Sequence, residues 1–273
     1  MAAADHDWRW QRMLLAVVSG VLVFLAFPNW NIAAVSWVAL VPLLVASEGV
    51  TPWRGFKLGL LAGTVTNFGG FHWMTFMLQE FGHLPAVVAW GVLLLQAVTQ
   101  GLAMAIGVAL WRYLVRCGAP SAVSAFAAMW AGEAVTPMIF PWYMGNGITS
   151  QTQLIQIADL GGLSLVSAQL YAANAALAEL AVAAIRRRRP ALRFVVGTAV
   201  LVGLSFGYGV LRIGQIETRE AAAPKMNIGL VEGDVGIWEK EARHLDAAAR
   251  AHTLRKNLLK HQRMSATLEK MGA

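Results

Sequence analysis

The chain has 273 residues, of which 57% are hydrophobic and only 14% are charged. A soluble globular domain carries roughly 25% charged residues, so this composition excludes a water-soluble fold and indicates an integral membrane protein. The formal net charge of +7 would suit nucleic acid only if the basic residues formed a surface patch, and the single cysteine, Cys117, excludes a disulfide framework or a cysteine-based zinc site within the chain.

Apolar segments recur along most of the chain, and a helix that crosses a hydrocarbon core of ~30 Å needs about 20 such residues. The segments are Met13–Phe27, Ile32–Ala46, Phe56–Leu78, Pro85–Trp111, Ser121–Phe140, Leu160–Ile185 and Phe194–Ile213. We therefore predict a membrane, all-α helical bundle of about seven transmembrane helices. The first two segments are short and only Pro28–Asn31 separates them, so a re-entrant hairpin stays open as an alternative there.

The basic residues alternate from loop to loop. Arg and Lys occur before the first segment and in every second loop after it, whereas Pro28–Asn31, Gln79–Leu84 and Pro141–Asp159 contain neither. The basic positions are Arg9, Arg12, Arg54, Lys57, Arg112, Arg116, Arg186, Arg187, Arg188, Arg189 and Arg193. This alternation follows the positive-inside rule for a cytoplasmic N-terminus and places Gly214–Ala273 in the periplasm or outside. The basic excess is therefore topological, and we expect no nucleic-acid partner.

The composition changes after the seventh segment, and we predict a transmembrane bundle over 1–213 followed by a second domain over 214–273. The short apolar run Met226–Val231, closed by Glu232-Gly233-Asp234, is typical of a buried strand and a turn. A long helix with apolar residues at helical spacing follows, from about His244 to Met271, and Gly272 is its predicted stop.

One strand and one helix form the opening of a β-α-β pattern, in which the helix face needs a sheet to cover it. We therefore expect the second domain to be an incomplete α/β domain. The alternative is an amphipathic basic helix that lies on the membrane surface and needs no sheet. The sequence by itself leaves both open.

Ionisable groups within membrane spans are costly and usually face the protein interior. Glu133 lies near the middle of the fifth segment. It either lines a cavity, where it holds a polar substrate group or positions the following loop, or it is a structural acid bonded to a neighbouring helix. Glu179 lies about two turns before the arginine cluster, and we predict a structural, interfacial role for it.

The outer loop Phe140–Gly147 is the most site-like stretch because it is uncharged and rich in aromatic residues and glycine. It either lines the mouth of a lipid-accessible cavity or anchors the chain at the membrane interface, a depth that Trp and Tyr favour. No second histidine has metal-ligand spacing to His72, so we expect no metal site. The candidate substrate-binding residues are Trp73, Glu133, Trp142, Tyr143 and Asn146.

Several short motifs follow one another along nearly the whole chain. They are Phe27-Pro28, Ala39-Leu40-Val41-Pro42-Leu43-Leu44, Gly59-Leu60-Leu61-Ala62-Gly63, Gly70-Phe71-His72-Trp73, Trp130-Ala131-Gly132-Glu133, Phe140-Pro141-Trp142 and Ile157-Ala158-Asp159-Leu160-Gly161-Gly162. In order and spacing the chain resembles the bacterial apolipoprotein N-acyltransferase family. The block from Trp130 to Gly162 is the most specific part of the resemblance.

The resemblance implies an enzyme of the bacterial inner membrane. The family transfers a fatty acyl chain from a membrane phospholipid to the α-amino group of the diacylglyceryl-cysteine at a lipoprotein N-terminus. Its periplasmic nitrilase-like domain carries a Glu-Lys-Cys triad, in which the thiolate takes the acyl group as a thioester. The resemblance thus implies a phospholipid donor and a lipoprotein acceptor as partners, and no metal or organic cofactor.

The chain departs from the family pattern at two points. Many members carry Arg three residues after the Glu of the fifth segment, where this chain has Thr136, so the resemblance does not imply a paired-charge role for Glu133. No residue matches the triad, because Glu232 follows the first strand and Cys117 lies in a cytoplasmic loop. We therefore expect a truncated N-terminal part with no catalytic residue of its own, inactive unless a continuation or a separate polypeptide completes the domain.

Two hypotheses follow from these residues. The first is an apolipoprotein N-acyltransferase represented by its N-terminal part. The second is a non-catalytic membrane scaffold for lipid binding or transport that derives from the same bundle.

Overall fold

The computed structural model of the chain describes residues 2–28, 30–233 and 246–271, with side chains from residue 10 onwards. The predictions above for the side chain of Arg9 and for Asn29, Asp234, His244 and Gly272 lie outside the described residues. The helices are α1 (Ala2–Leu25), α2 (Ala33–Ser36), α3 (Val41–Ser47), α4 (Pro52–Gly70), α5 (Trp73–Glu80), α6 (Ala86–Arg116), α7 (Ser121–Val135), a 3₁₀ helix (Met144–Ile148), α8 (Thr152–Ile155), α9 (Ala158–Ile185), α10 (Leu192–Ala222) and α11 (Ala247–Lys270). The chain forms two compact units, Met1–Ile216 and Glu217–Ala273.

Among the described residues, three helices, α6, α9 and α10, are long and apolar enough to cross a membrane. The 31 residues of α6 span about 46 Å at 1.5 Å per residue, more than the ~30 Å of a hydrocarbon core. Trp10–Leu25 and Ala33–Ser47 are shorter apolar helical segments. The first unit is therefore a helical membrane part. The number of about seven spans stays a prediction.

The predicted segment Ile32–Ala46 is interrupted, because a turn at Trp37–Leu40 separates α2 from α3. Pro42 is the second residue of α3 and has no backbone N–H to continue a helical ladder. Asn174 of α9 binds both sides of the turn, since its Oδ1 accepts from the N–H of Leu40 at 2.8 Å and its Nδ2 donates to the carbonyl of Ser36 at 2.9 Å. Asn174 is fully buried, so this bond pair replaces the backbone partners that hydrocarbon cannot supply.

Of two other predicted segments, one is divided between two helices and one ends early. The segment Phe56–Leu78 is divided between α4 and α5, which are separated at Phe71 and His72. A Cβ at Gly70 would overlap the ring of Phe27, two residues after α1, so the end of α4 approaches this ring as closely as only glycine allows. The segment Ser121–Phe140 is helical only to Val135, because Pro137 disfavours the helical conformation at the residue before it.

Small residues bring α4 and α6 into backbone contact. A Cβ at Gly63 would lie 2.6 Å from the Cα of Gly101, and a Cβ at Gly59 would lie 2.8 Å from the Cα of Ala105. Without a hydrophobic driving force between helices in lipid, such close van der Waals packing is a main source of association. The α4–α6 pair is therefore a rigid frame for the residues that project from it.

One end of the first unit carries a cluster of ion pairs around Glu48. Its Oε2 lies 3.3 Å from Nη1 of Arg112, its Oε1 lies 3.8 Å from Nη1 of Arg186, and its carbonyl accepts from Arg12 at 3.3 Å. Residues from three of the basic segments of the sequence thus meet at one end of the bundle. Trp90 marks the opposite end of α6. It lies 22 residues before Arg112, about 33 Å along the helix, and its ring centroid is 5.8 Å from that of Phe68.

Glu179 has the structural role that the sequence predicts. Its carboxylate oxygens accept from both terminal nitrogens of Arg188, at 2.6 and 2.7 Å, and Oε1 also accepts from the N–H of Ala191 at 2.8 Å. These bonds hold the pKa of Arg188 above its ordinary value. The turn between α9 and α10 is thereby tied to α9.

The prediction of a strand at Met226–Val231 is wrong for this structure. The run has no regular secondary structure, and Met226, Ile228 and Leu230 are exposed. A strand needs a neighbouring strand for its ladder of hydrogen bonds, and the described residues include no strand that could pair with this run. The helix that follows is present as α11, which Asp246 caps by accepting from the N–H of Ala249 at 2.7 Å.

Candidate functional site

The segment between α7 and α9 is held by buried side chains from three helices. The N–H of Phe140 donates to Oε1 of Gln100 on α6 at 2.9 Å, and the N–H of Met144 donates to Oε2 of Glu133 on α7 at 2.6 Å. The N–H of Gly145 donates to Oγ of Ser167 on α9 at 2.9 Å. Three backbone donors of the predicted loop Phe140–Gly147 therefore bond to side chains of the bundle, which fixes its path.

This loop reaches deep into the bundle. Gln100 lies 10 residues after Trp90 and 12 residues before Arg112, about 15 Å and 18 Å along α6. The backbone at Phe140 therefore lies near the middle of the length of α6. Irregular backbone at membrane depth persists only where protein groups satisfy it, which is the physical reason for the three bonds.

Glu133 is 5% exposed and accepts a second hydrogen bond, from the hydroxyl of Tyr171 at 2.9 Å. One carboxylate oxygen thus joins α7, α9 and the loop. Of the interpretations that the sequence left open, the geometry supports loop positioning and bonding to a neighbouring helix together. A contact between Glu133 and a substrate stays a prediction.

The side-chain amides of Gln100 and Asn67 extend this hydrogen-bond network from the loop to α4. Nε2 of Gln100 donates to Oδ1 of Asn67 at 3.0 Å, and Nδ2 of Asn67 donates to the carbonyl of Gly63 at 2.8 Å. Both side chains are buried. The rigid α4–α6 pair is therefore bonded, through Gln100, to the loop.

A small cavity of mixed lining, called the polar cavity because Asn67, Gln100, Glu133 and Tyr171 line it, lies among these groups. Its volume of about 40 Å³ suffices for about three water molecules. It is lined by Val23, Thr66, Asn67, Gln100, Ala103, Met104, Glu133, Met138, Trp142, Met144 and Tyr171. A fatty acyl chain does not fit this volume, so the cavity suits ordered water or a small polar group.

Trp142 also lines a second, aromatic cavity of about 170 Å³. Its lining residues are Phe27, Pro28, Gly70, Phe71, Trp73, Pro141 and Trp142. Trp142 stacks on Phe27 with ring centroids 3.9 Å apart, and Phe71 stacks on Phe140 at 5.5 Å. The lining carries no charge, so this cavity suits an apolar ligand group.

The comparison with known proteins matches the same region. The model of the apolipoprotein N-acyltransferase N-terminal domain covers residues 19–176, which include Asn67, Gln100, Glu133, Ser167 and Tyr171. The chain belongs to the apolipoprotein N-acyltransferase family. The family that the motifs predicted is thereby confirmed.

Individual relatives agree with this assignment. The chain is 32% identical over 233 residues to the apolipoprotein N-acyltransferase of Geobacter metallireducens, with 81% of this chain and 43% of the relative covered. It is 30% identical over 238 residues to that of Azotobacter vinelandii (83% and 44% covered). It is 25% identical over 257 residues to apolipoprotein N-acyltransferase 2 of Leptospira interrogans (89% and 42% covered). The chain therefore spans less than half the length of these curated relatives.

The predicted substrate-binding residues of this N-acyltransferase family member fall into two groups. Trp73 and Trp142 line the aromatic cavity, and Glu133 meets Trp142 at the polar cavity. Tyr143 and Asn146 line neither cavity; the N–H of Asn146 donates to the carbonyl of Tyr143 at 2.9 Å. The structure thus brings three of the five together around Trp142.

Sequence analysis missed four polar residues of the network: Asn67, Gln100, Ser167 and Tyr171. The available signal was the same as for Glu133, because amides and hydroxyls within apolar helices also need partners. Ser167 and Tyr171 are one helical turn apart on α9, so they face the same side.

Within the described residues, no cluster of metal-binding side chains and no cysteine lies at the loop Phe140–Gly147. Within the described ranges, no three His, Cys, Asp or Glu side chains lie close enough to hold a metal ion. Nδ1 of His72 lies 2.7 Å from the carbonyl of Gly69, a local contact. Cys117 is exposed and follows the end of α6 that carries Arg112, far from Gln100.

Proposed function

We propose that this chain is the membrane part of an apolipoprotein N-acyltransferase, which transfers a fatty acyl chain from a phospholipid to the N-terminal diacylglyceryl-cysteine of a lipoprotein. Family membership supports the reaction class. The observation that carries the proposal for the bundle is the rigidly bonded loop Phe140–Gly147, which lines both the polar cavity and the aromatic one.

The role we assign to the bundle is substrate placement. A phospholipid arrives from the bilayer, and its acyl chain needs an apolar surface beside the reacting ester. The aromatic cavity at Trp73 and Trp142 offers such a surface, and the bonds at Gln100 and Glu133 keep its wall in place. Preorganised placement of this kind reduces the entropic cost of a reaction between two lipid substrates.

The topology remains part of the proposal. We infer about seven spans, a cytoplasmic N-terminus and location in the bacterial inner membrane, with a bundle over 1–213 and an extracytoplasmic nitrilase-like segment over 214–273. The meeting of Arg12, Arg112 and Arg186 around Glu48 supports this orientation, because it gathers the basic segments on one side.

In this proposal, the residues that catalyse acyl transfer are not among the 273 residues of this sequence. The family chemistry needs a thiolate, and the sole cysteine, Cys117, follows the end of α6 that carries Arg112, about 18 Å along α6 from Gln100. We therefore assign Cys117 no role in acyl transfer. A nitrilase-like segment, continuous with the chain or supplied separately, would provide the triad.

A chimera tests the proposal. Residues 1–213 of this chain would replace the corresponding part of the Geobacter metallireducens relative, and the product would be expressed in a strain depleted of its own acyltransferase. We expect growth and N-acylated lipoproteins, measured by mass spectrometry, equally with a Cys117→Ala chimera. The 273-residue chain alone should give neither.

Two outcomes would contradict the proposal. Rescue by the chain alone, persisting in Cys117→Ala, would mean that the family's catalytic assignment does not apply. A chimera that inserts and binds phospholipid without any acylation, while the parent enzyme is active, would favour the non-catalytic scaffold.

A further inference from the structure

Five arginines lie within eight residues where α9 meets α10: Arg186, Arg187, Arg188 and Arg189 in the turn and Arg193 as the second residue of α10. Two of them have carboxylate partners. Arg188 forms the close pair with Glu179, and Arg186 lies 3.8 Å from Glu48. The other three are exposed and form no ion pair within the described part of the chain.

The backbone of this turn is fixed. Glu179 accepts from the N–H of Ala191 at 2.8 Å, and Nη1 of Arg188 also donates to the carbonyl of Arg189 at 3.3 Å. The N–H of Arg188 bonds back to Ala183 on α9 at 2.9 Å. Because the turn is held by these bonds, Arg187, Arg189 and Arg193 present their charge from an ordered framework.

An exposed apolar stripe begins where the arginines end. Leu192, Val196, Val200 and Leu204 of α10 are each more than half exposed, with 60%, 57%, 54% and 68% of their surface accessible. Residues four apart lie on one face of a helix, so these side chains form a continuous line. The line is about 18 Å long, slightly more than half of a ~30 Å hydrocarbon core.

We propose that this turn binds the phosphate of an anionic phospholipid, with an acyl chain of that lipid lying along Leu192–Leu204. Charge complementarity carries the assignment, because these three arginines form no ion pair within the described residues and guanidinium groups bind phosphate oxygens in a bidentate manner. The length of the apolar stripe matches a chain in one leaflet. Basic sites beside membrane helices recognise anionic headgroups by this combination.

This lipid site is distinct from the proposed acyl-donor surface. Arg186 ties the turn to Glu48 and thus to the end of α6 at Arg112, about 18 Å along α6 from Gln100. A lipid bound at the turn is therefore a structural or regulatory ligand rather than the acyl donor. The proposal does not depend on the chain having acyltransferase activity.

The test uses the full chain in detergent micelles and measures binding of phosphatidylglycerol by native mass spectrometry, with phosphatidylcholine as the neutral lipid. The variant Arg187→Gln/Arg189→Gln/Arg193→Gln keeps Arg186, Arg188 and their ion pairs. The matched control, Arg54→Gln/Lys57→Gln/Arg116→Gln, removes the same charge from other basic segments. We expect phosphatidylglycerol to bind the first variant at least about tenfold more weakly, and the control within about twofold of the unmodified chain.

The proposal has clear contrary results. Equal losses in the two variants would mean that net charge, rather than this turn, attracts the lipid. Unchanged binding in the first variant would overturn the site directly. Inorganic phosphate that competes at the same concentration as phosphatidylglycerol would show a small-anion site instead of a lipid site. Size-exclusion profiles and helical circular dichroism establish that each variant is folded.

Discussion

Glu133 and Tyr171 are joined by a hydrogen bond of 2.9 Å between the tyrosine hydroxyl and the carboxylate oxygen Oε2, and the same oxygen accepts from the N–H of Met144 at 2.6 Å. One atom thus connects two membrane helices and the loop between them. A carboxyl oxygen that accepts two hydrogen bonds satisfies a backbone N–H and a hydroxyl at once, which explains how a short network can hold irregular backbone at membrane depth.

The first prediction concerns this shared oxygen. Glu133→Gln should lower the free energy of unfolding by about 1–3 kcal/mol, because the amide keeps only one acceptor oxygen and places an NH2 donor where the carboxyl has its second oxygen. Tyr171→Phe should cost less, about 1 kcal/mol, because the bond to Met144 survives. The two effects should be less than additive in the double variant, since Glu133→Gln weakens the bond that Tyr171→Phe removes.

The measurement is reversible unfolding in mixed micelles, followed by circular dichroism. Ser205→Ala is the control, because its hydroxyl bonds only to the carbonyl of Leu201 in its own helix. Strict additivity of Glu133→Gln and Tyr171→Phe would mean that the bond is not formed in the protein.

The second prediction concerns the turn between α2 and α3. Asn174→Leu has a similar volume but leaves the N–H of Leu40 and the carbonyl of Ser36 without their side-chain partner. Each buried group that loses its partner costs about 1–3 kcal/mol, so we expect a loss of several kcal/mol or failure to accumulate in the membrane. Asn174→Asp keeps an acceptor for Leu40 and should be less damaging. A fully stable Asn174→Leu protein would show that the turn is satisfied in another way.

The third prediction concerns Trp142, which lines both cavities. Trp142→Ala in the chimera should reduce lipoprotein acylation at least about tenfold, because the aromatic cavity opens and the substrate is less well placed. Trp142→Phe keeps a ring against Phe27 and should retain most activity. Trp30, which is 58% exposed, supplies the control, and Trp30→Ala should stay within about twofold of the parent chimera. Full activity of a folded Trp142→Ala chimera would remove the cavity from the proposed function.

The fourth prediction concerns topology. Alkaline phosphatase fused after Gly147 or after Ala223 should be active, because both positions lie outside the cytoplasm in the proposed orientation. A fusion after Gly118 should be inactive and serves as the cytoplasmic control. Inactive enzyme at both Gly147 and Ala223, with normal fusion levels, would reverse or refute the orientation.

The sequence by itself determined the class of the protein and its main helices. Hydrophobicity summed over about 20 residues is insensitive to local detail, so the helices α6, α9 and α10 were placed correctly. Glu133 was also recognisable, because a carboxylate within an apolar helix is costly wherever it lies. The ordered motifs identified the family, which the match over residues 19–176 confirms.

Only the tertiary structure decided which groups satisfy the irregular backbone. Asn174 is 134 residues from Leu40, and Tyr171 is 38 residues from Glu133, so no local pattern encodes these pairs. The same reason explains the wrong strand prediction at Met226–Val231: an apolar run favours a strand only when another strand lies beside it. Local composition determines that a segment enters the membrane, whereas long-range hydrogen bonding determines where its helix can break.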